Sequence, residues 1–138
     1  MFEPLEPRTR ILIVDGDRRV CRSLSGILEA NDRVEVVGCV STAIDALDLA
    51  MWHCPDAVLI DLDRADAADW LGLIAAFRCA CPCAAVVVLS GAASLREVAI
   101  QAGADAVLDK YEAGGQLADA VMAVLAGPTR ADPADRSS

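Results

Sequence analysis

The sequence predicts an α/β domain built on a doubly wound, parallel sheet of five strands. Short apolar runs alternate five times with longer stretches of helical periodicity, the order that produces parallel strands joined by right-handed crossovers. The inner runs are continuously apolar, which indicates strands buried on both faces. The chain of 138 residues is 55 % hydrophobic but has only two Trp, two Phe and one Tyr. We therefore expect one domain whose core consists mainly of small aliphatic side chains.

The first third of the chain predicts two strands around one helix. An apolar run at residues 10–14 ends at an Asp-Gly-Asp turn signal. Apolar residues then recur at helical spacing over residues 20–28, and Asp17 is placed to cap this helix. Residues 34–38 alternate and end in glycine. We expect a strand near the edge of the sheet that turns at Gly38.

The middle of the chain predicts the central strand. A helix that begins at Ser41 or Thr42 precedes the apolar run at residues 57–60, which ends in Asp61. Such strands end at the carboxyl edge of the sheet, where α/β proteins place their sites. We therefore expect Asp61 at a rim that faces solvent. Taken alone, this stretch fits a carboxylate that merely ends the strand equally well.

The remaining elements follow the same alternation. A helical pattern at residues 70–77 precedes the apolar run at 85–89, which predicts the fourth strand. Ser94 is placed to cap the next helix, and residues 106–108 predict a short fifth strand. A last helix is expected at residues 116–126. No glycine-rich phosphate loop follows any of these strands.

Composition and charge limit the domain organisation and the partners. We expect an extension at residues 1–9, the folded domain at 10–127, and a disordered tail or linker at 128–138. A net charge of −9 argues against direct binding of nucleic acid. The N-terminus does not resemble a signal peptide, and no apolar run reaches the ~20 residues of a membrane span. These observations predict a cytoplasmic protein without a membrane partner.

The six cysteines are expected to be reduced, because the chain is predicted to be cytoplasmic. Cys79, Cys81 and Cys83 form the one cluster, at a helix-to-strand turn. Zinc ligands are usually separated by two to four residues, whereas here single residues separate them and the only histidine is remote. We therefore favour a surface cluster over a metal site.

Polar side chains follow the predicted strands at one edge of the sheet. They are Asp15 and Asp17 after the first strand, Asp61 after the third, Ser90 after the fourth and Lys110 after the fifth. Carboxylates held this close repel one another unless a cation lies among them, and Mg²⁺ is the hard ion that prefers such oxygen ligands. Asp61, on the central strand, is the candidate nucleophile, giving an aspartyl phosphate whose oxygens Ser90 and Lys110 would contact.

The motifs that carry these residues resemble the receiver domain of bacterial two-component response regulators. In order, they are ILIVDGD at residues 11–17, PDAVLID at 55–61, VVVLSGA at 86–92 and GADAVLDK at 103–110. The C-terminal part is similar to receivers of the NarL/LuxR-type subfamily. The resemblance implies a flavodoxin-like (βα)5 fold with strand order 2-1-3-4-5.

The resemblance also implies roles for individual residues. Asp61 corresponds to the phosphoacceptor, Ser90 to the switch hydroxyl and Lys110 to the lysine that contacts the phosphoryl group. Asp15, Asp61 and the backbone carbonyl of Asp63 would hold Mg²⁺. The implied partners are a cognate sensor histidine kinase and a second copy in a homodimer. Receivers of this subfamily control transcription through a helix-turn-helix domain that this chain lacks, so DNA binding would need that attached or lost domain. The domain is not expected to be an enzyme.

Three departures from the family pattern leave alternatives open. Gly16 occupies the position of the second acidic residue, with Asp17 as a possible substitute metal ligand; residues 62–66 replace the usual turn after the phosphoacceptor; and Val107 replaces the switch aromatic. An atypical receiver that acts as a protein-interaction module without phosphorylation is therefore an alternative. A remoter one is a haloacid-dehalogenase-type phosphatase that uses Asp61 and Asp63.

Overall fold

The computed structural model describes residues 7–61, 67–91, 94–109 and 116–127, with side chains of residues 67–69 excepted. It contains one parallel sheet in the order β2-β1-β3-β4-β5, which confirms the predicted fold class and strand order. In chain order the elements are β1 (Thr9–Val14), α1 (Arg18–Glu29), β2 (Val34–Val40), α2 (Ala43–His53), β3 (Ala57–Asp61), α3 (Ala67–Ala80), β4 (Ala85–Ser90), α4 (Ser94–Ala102), β5 (Ala106–Asp109) and α5 (Leu117–Ala126). Within the described ranges, no helix is both long and apolar enough to cross a membrane.

Alternate residues of the inner strands enter two separate cores, one on each face of the sheet. On one face, strand residues pack with α2, α3 and α4; they are Leu12, Val14, Val58, Ile60, Val86 and Val88. On the other face, their sequence neighbours pack with α1 and α5; they are Ile11, Ile13, Ala57, Leu59, Ala85 and Val87. Because successive strand residues point to opposite faces, both cores require apolar side chains at every position. The continuous apolar runs in the sequence have this physical cause.

Side-chain caps define the start of α1 and α2. The carboxylate of Asp17 accepts a hydrogen bond of 2.8 Å from the backbone N–H of Arg19, as the sequence predicts. Of the two candidates before α2, Thr42 is the cap, because its Oγ1 accepts a hydrogen bond of 3.2 Å from the N–H of Asp45. Such bonds satisfy backbone donors that have no partner within the helix.

The edge strand β2 does not turn at Gly38, so that prediction is wrong. Val36 pairs with Ile11 and Gly38 pairs with Leu12, which leaves one extra β2 residue at this bulge. The strand then continues to Val40. A Cβ at Gly38 would lie 3.3 Å from Cδ1 of Leu12, so the glycine permits close packing over β1 rather than ending the strand.

An ion pair fixes the end of α3 against the loop before β5. Nη1 of Arg78 lies 3.0 Å from Oδ2 of Asp105, and the same oxygen accepts a hydrogen bond of 2.8 Å from the N–H of Val86. Gly103 has φ +120, and a Cβ there would lie 2.8 Å from Cγ of Arg78. The loop therefore depends on a glycine both for its backbone conformation and for space.

Candidate functional site

Asp15 lies at the carboxyl end of β1 and is fully buried. Its N–H donates a hydrogen bond of 2.9 Å to the carbonyl of Val40, and its Oδ1 accepts one of 2.8 Å from the N–H of Asp17. Val14 pairs with Ile60 of β3, so the next residues along these parallel strands, Asp15 and Asp61, are neighbours. The backbone therefore places the two acidic residues side by side at the edge of the sheet.

Asp61 and Ser90 complete a buried polar row at the ends of three adjacent strands. Asp61 pairs with Leu89, directly before Ser90, and the two residues are 1 % and 5 % exposed. The expectation that Asp61 faces solvent is therefore wrong: the end of β3 is covered. Within the described ranges, Asp15, Asp61 and Ser90 are the polar residues that the domain buries.

The two residues that follow Asp15 have different environments. Asp17 is partly buried and holds the N–H of Arg19 as a helix cap, whereas Gly16 is exposed. A carboxylate oxygen of Asp17 is therefore already used for α1. Asp63 and Lys110, the other two predicted site residues, lie outside the described residues, so the structure brings together Asp15, Asp61 and Ser90 from the predicted set.

The donor set fits a hard divalent cation with few protein ligands. Asp15 and Asp61 supply two buried carboxylates, and Mg²⁺ is typically bound by one or two carboxylates while it keeps several waters. In the part of the chain that is described, no three His, Cys, Asp or Glu residues form a group that could hold a metal ion. A site here would depend on these two carboxylates together with backbone or water oxygens.

A disulfide joins Cys21 of α1 to Cys39 of β2, with Cα atoms 5.9 Å apart. The expectation of reduced cysteines is therefore wrong for this pair. The close packing of α1 on the edge strand brings the two Cα atoms within disulfide range. Residues from α1, β2 and α2 also line a cavity of about 510 Å³ beside this bond, partly open to solvent, which sequence reasoning missed. The cavity depends on tertiary packing and left no pattern in the sequence.

The other four cysteines are not part of a disulfide. Burial, and then the neighbouring Cys54 and Cys83, raises the pKa of the Cys81 thiol above its ordinary value. Cys79 and Cys83 are exposed. The turn after α3 therefore carries thiols with different environments, as expected for a cluster at the surface.

The geometry of the buried row agrees with the comparison with known proteins. A family model described as the response regulator receiver domain matches residues 11–122. The chain belongs to the response-regulator receiver family. The receiver domain of the NarL regulator from Mycobacterium tuberculosis superposes with a TM-score of 0.79 at 25 % identity, covering 88 % of this chain and 99 % of that one. A LuxR-family regulator from Aurantimonas shares the fold, with a TM-score of 0.79 at 24 % identity and coverage of 87 % and 86 %.

Two curated relatives of this receiver are longer proteins. A protein-glutamate methylesterase/protein-glutamine glutaminase of Myxococcus xanthus is 31 % identical over 90 % of this chain and 39 % of the relative. The transcriptional regulatory protein MctR of Rhizobium johnstonii is 28 % identical over 89 % of this chain and 58 % of the relative. The receiver thus spans about two fifths to three fifths of these relatives. Receivers act in two-component signalling, and this chain is such a receiver.

Proposed function

We propose that residues 10–127 form a receiver that accepts a phosphoryl group on Asp61. The observation that carries this proposal is the buried row of Asp15, Asp61 and Ser90 at the ends of β1, β3 and β4. Buried carboxylates are costly to retain in a fold. Two of them beside a hydroxyl, at the sheet edge where α/β proteins bind ligands, favour a chemical role over a structural one.

Each residue of the row has a proposed role in phosphoryl transfer. A carboxylate oxygen of Asp61 attacks the phosphorus of the donor and becomes an acyl phosphate, while the donor keeps the electrons of the broken bond. The Ser90 hydroxyl then hydrogen-bonds an oxygen of the transferred group, which shifts the segment after β4 between two populations. Lys110 is proposed to contact the phosphoryl oxygens.

Asp15, Asp61 and the backbone carbonyl of Asp63 are the proposed ligands of Mg²⁺. When bound, the ion would supply positive charge against the carboxylates and the incoming phosphoryl group. Asp17 could replace the acid that is missing at Gly16 only if its carboxylate bound the ion and capped α1 at the same time. We therefore expect Mg²⁺ to bind more weakly here than in a receiver with a complete acidic pair.

The proposed partners follow from the family. They are a cognate sensor histidine kinase, which supplies the phosphoryl group, and a second copy of the receiver in a homodimer. The name of the relative MctR states a role in the regulation of transcription, and we propose that such control would pass through a helix-turn-helix domain outside this sequence. We place the protein in the cytoplasm. Although methylesterases are among the relatives, we propose that the receiver itself turns over no substrate.

A second candidate function is protein interaction that does not require phosphorylation. The specific observation in its favour is that the second acidic position holds an exposed Gly16, while the carboxylate of the next residue, Asp17, caps a helix. The phosphatase alternative has no comparable support, since the chain matches the receiver family and Asp61 ends the third strand rather than the first.

Intact mass after incubation with acetyl phosphate and Mg²⁺ distinguishes the two functions. We expect a gain of one phosphoryl group that Asp61→Asn abolishes and that Asp48→Asn, an exposed α2 carboxylate, leaves unchanged. If mass does not increase at any Mg²⁺ concentration, the phosphoryl-accepting function is refuted and the interaction function remains. Gly16→Asp should tighten Mg²⁺ binding, and unchanged binding would refute the assignment of Gly16 to the acidic pair.

A further inference from the structure

In the Cys21–Cys39 disulfide, one cysteine is buried and the other is exposed. Cys21 lies on the inner side of α1 and is 4 % exposed, whereas Cys39 is exposed on the edge strand β2. Thiol–disulfide exchange requires a thiolate to reach one of the two sulfur atoms. An incoming thiol can therefore approach Cys39, and Cys21 is the leaving sulfur.

The cavity beside the disulfide has the size and charge of a binding site. Its volume of about 510 Å³ lies within the range of small-molecule sites. Both cysteines line it, and Arg18 and Arg22, one helical turn apart on α1, contribute two guanidinium groups. The facing carboxylates are Asp45 of α2 and Asp15 of the buried row. A ligand with both negative and positive groups matches this arrangement.

We propose that this cavity is a thiol–disulfide exchange site for a small zwitterionic thiol that carries carboxylates and an ammonium group. Arg18 and Arg22 would bind its carboxylates, and Asp45 its ammonium group. This positions the thiolate at Sγ of Cys39. The proposal goes beyond the receiver function and does not depend on phosphorylation of Asp61.

The exchange proceeds in two balanced steps. The thiolate of the small molecule attacks Sγ of Cys39, the bond between the two cysteine sulfur atoms breaks, and Cys21 leaves as a thiolate that takes a proton from water. A second small thiol attacks the mixed disulfide and releases the Cys39 thiol. Two small thiols are thereby oxidised to their disulfide, and the protein disulfide is reduced to two thiols.

Exchange at this bond changes a connection next to the buried carboxylates. The disulfide links α1 to β2, and the same two elements meet Asp15 through the N–H of Asp17 and the carbonyl of Val40. The redox state of the pair therefore determines whether the start of α1 is covalently held against the strand that supports Asp15.

The test measures reduction of the full chain by glutathione, which carries carboxylates and an ammonium group, and by 2-mercaptoethanol, which has no charged group besides its thiolate. Each rate is normalised to the thiolate fraction of the reagent, and quenched samples are mapped by mass spectrometry so that the other four cysteines do not interfere. In the combined Arg18→Gln, Arg22→Gln variant, we expect the preference for glutathione to fall about fivefold, as for the loss of two exposed ion pairs. The control is the combined Arg19→Gln, Arg33→Gln variant, which has the same charge change outside the cavity lining and should keep the preference.

Three results would overturn the proposal. They are alkylation of Cys21 and Cys39 in the protein before any reductant is added, a first mixed disulfide at Cys21 instead of Cys39, or an equal loss of preference in the control variant. If the cavity variant does not fold, the salt dependence of the two rates in the wild-type chain tests the same proposal. Added salt should reduce the rate with glutathione relative to the rate with 2-mercaptoethanol, because it screens the carboxylate and ammonium contacts that only glutathione can make, and an unchanged ratio of the two rates refutes the proposal.

Discussion

Replacement of Asp15 and Asp61 by asparagine, singly and together, tests whether their carboxylates share one site. A double-mutant cycle isolates the interaction between two residues, because the contacts that each makes with other groups cancel. Without divalent cations, we expect a repulsive coupling: Asp15→Asn should be more favourable to stability when Asp61 is present than when Asn occupies that position. The asparagine keeps the size of the side chain and one acceptor oxygen while it removes the charge.

The magnitude of the coupling between Asp15 and Asp61 is estimated from the strand pairing. Val14 and Ile60 are partners, and adjacent strands lie about 4.8 Å apart, so the backbones of the residues that follow are separated by about 5 Å, and we use this value for the two carboxylates. Two unit charges at this distance repel by about 3 kcal/mol at an effective dielectric constant of about 20. Because both residues are at least 99 % buried, screening by salt should reduce this value only slightly.

Urea unfolding of the four proteins at neutral pH with a chelator measures the coupling. Saturating Mg²⁺ should reduce or invert it, since the cation turns two repelling charges into two ligands. The matched control is the cycle of Asp45→Asn and Asp48→Asn on the exposed face of α2, which should couple by less than about 0.5 kcal/mol. A coupling of Asp15 and Asp61 that is equally small, with no effect of Mg²⁺, would refute the shared site.

Three further predictions concern the scaffold and the thiols. Asp105→Ala should lower the free energy of unfolding by about 2–4 kcal/mol in urea denaturation, because it leaves a partly buried arginine and a strand N–H without their shared acceptor; a loss below about 1 kcal/mol would contradict this. Gly103→Ala should lower the free energy of unfolding by about 1–3 kcal/mol in thermal unfolding, since the new Cβ combines a positive φ with a 2.8 Å contact. Thr42→Ala should lower it by only about 1 kcal/mol through the lost cap. A larger loss for Thr42→Ala than for Gly103→Ala would show that the loop relaxes freely. Because burial raises the pKa of the Cys81 thiol, its alkylation should reach half-maximal rate at a higher pH than that of a cysteine in a short unfolded peptide. Peptide mapping after iodoacetamide would measure this, and a profile that coincides with that of the peptide would contradict the burial.

The elements of the fold were predictable because both faces of the inner strands are covered. Each position of β3 and β4 is buried, so the sequence carries uninterrupted apolar runs that differ clearly from the helical patterns between them. The caps were predictable for a local reason, since Asp17 and Thr42 bond to N–H groups two or three residues away. Information of this kind is contained within a few residues of the chain.

The features that the sequence did not predict depend on contacts between distant segments. Gly38 has the local signature of a turn, but its place opposite Leu12 on β1 makes it part of a bulged strand. Cys21 and Cys39 are 18 residues apart, and their bond depends on how α1 packs on β2. The burial of Asp61 likewise reflects the groups that cover the end of β3 rather than the sequence of the strand.

The position of each acid after β1 explains why it serves a different purpose. Asp17 stabilises a helix that any N-terminal cap would stabilise, so its presence in the sequence has a structural reason. Asp15 differs from it in burial: its Oδ1 accepts a hydrogen bond from the N–H of Asp17, and full burial of its carboxylate opposes folding. Local rules of stability are broken mainly where a site requires it, and here they are broken at two neighbouring strand ends, Asp15 and Asp61. The proposed chemical role for both carboxylates would account for this arrangement, whereas strand termination alone would favour exposed ones.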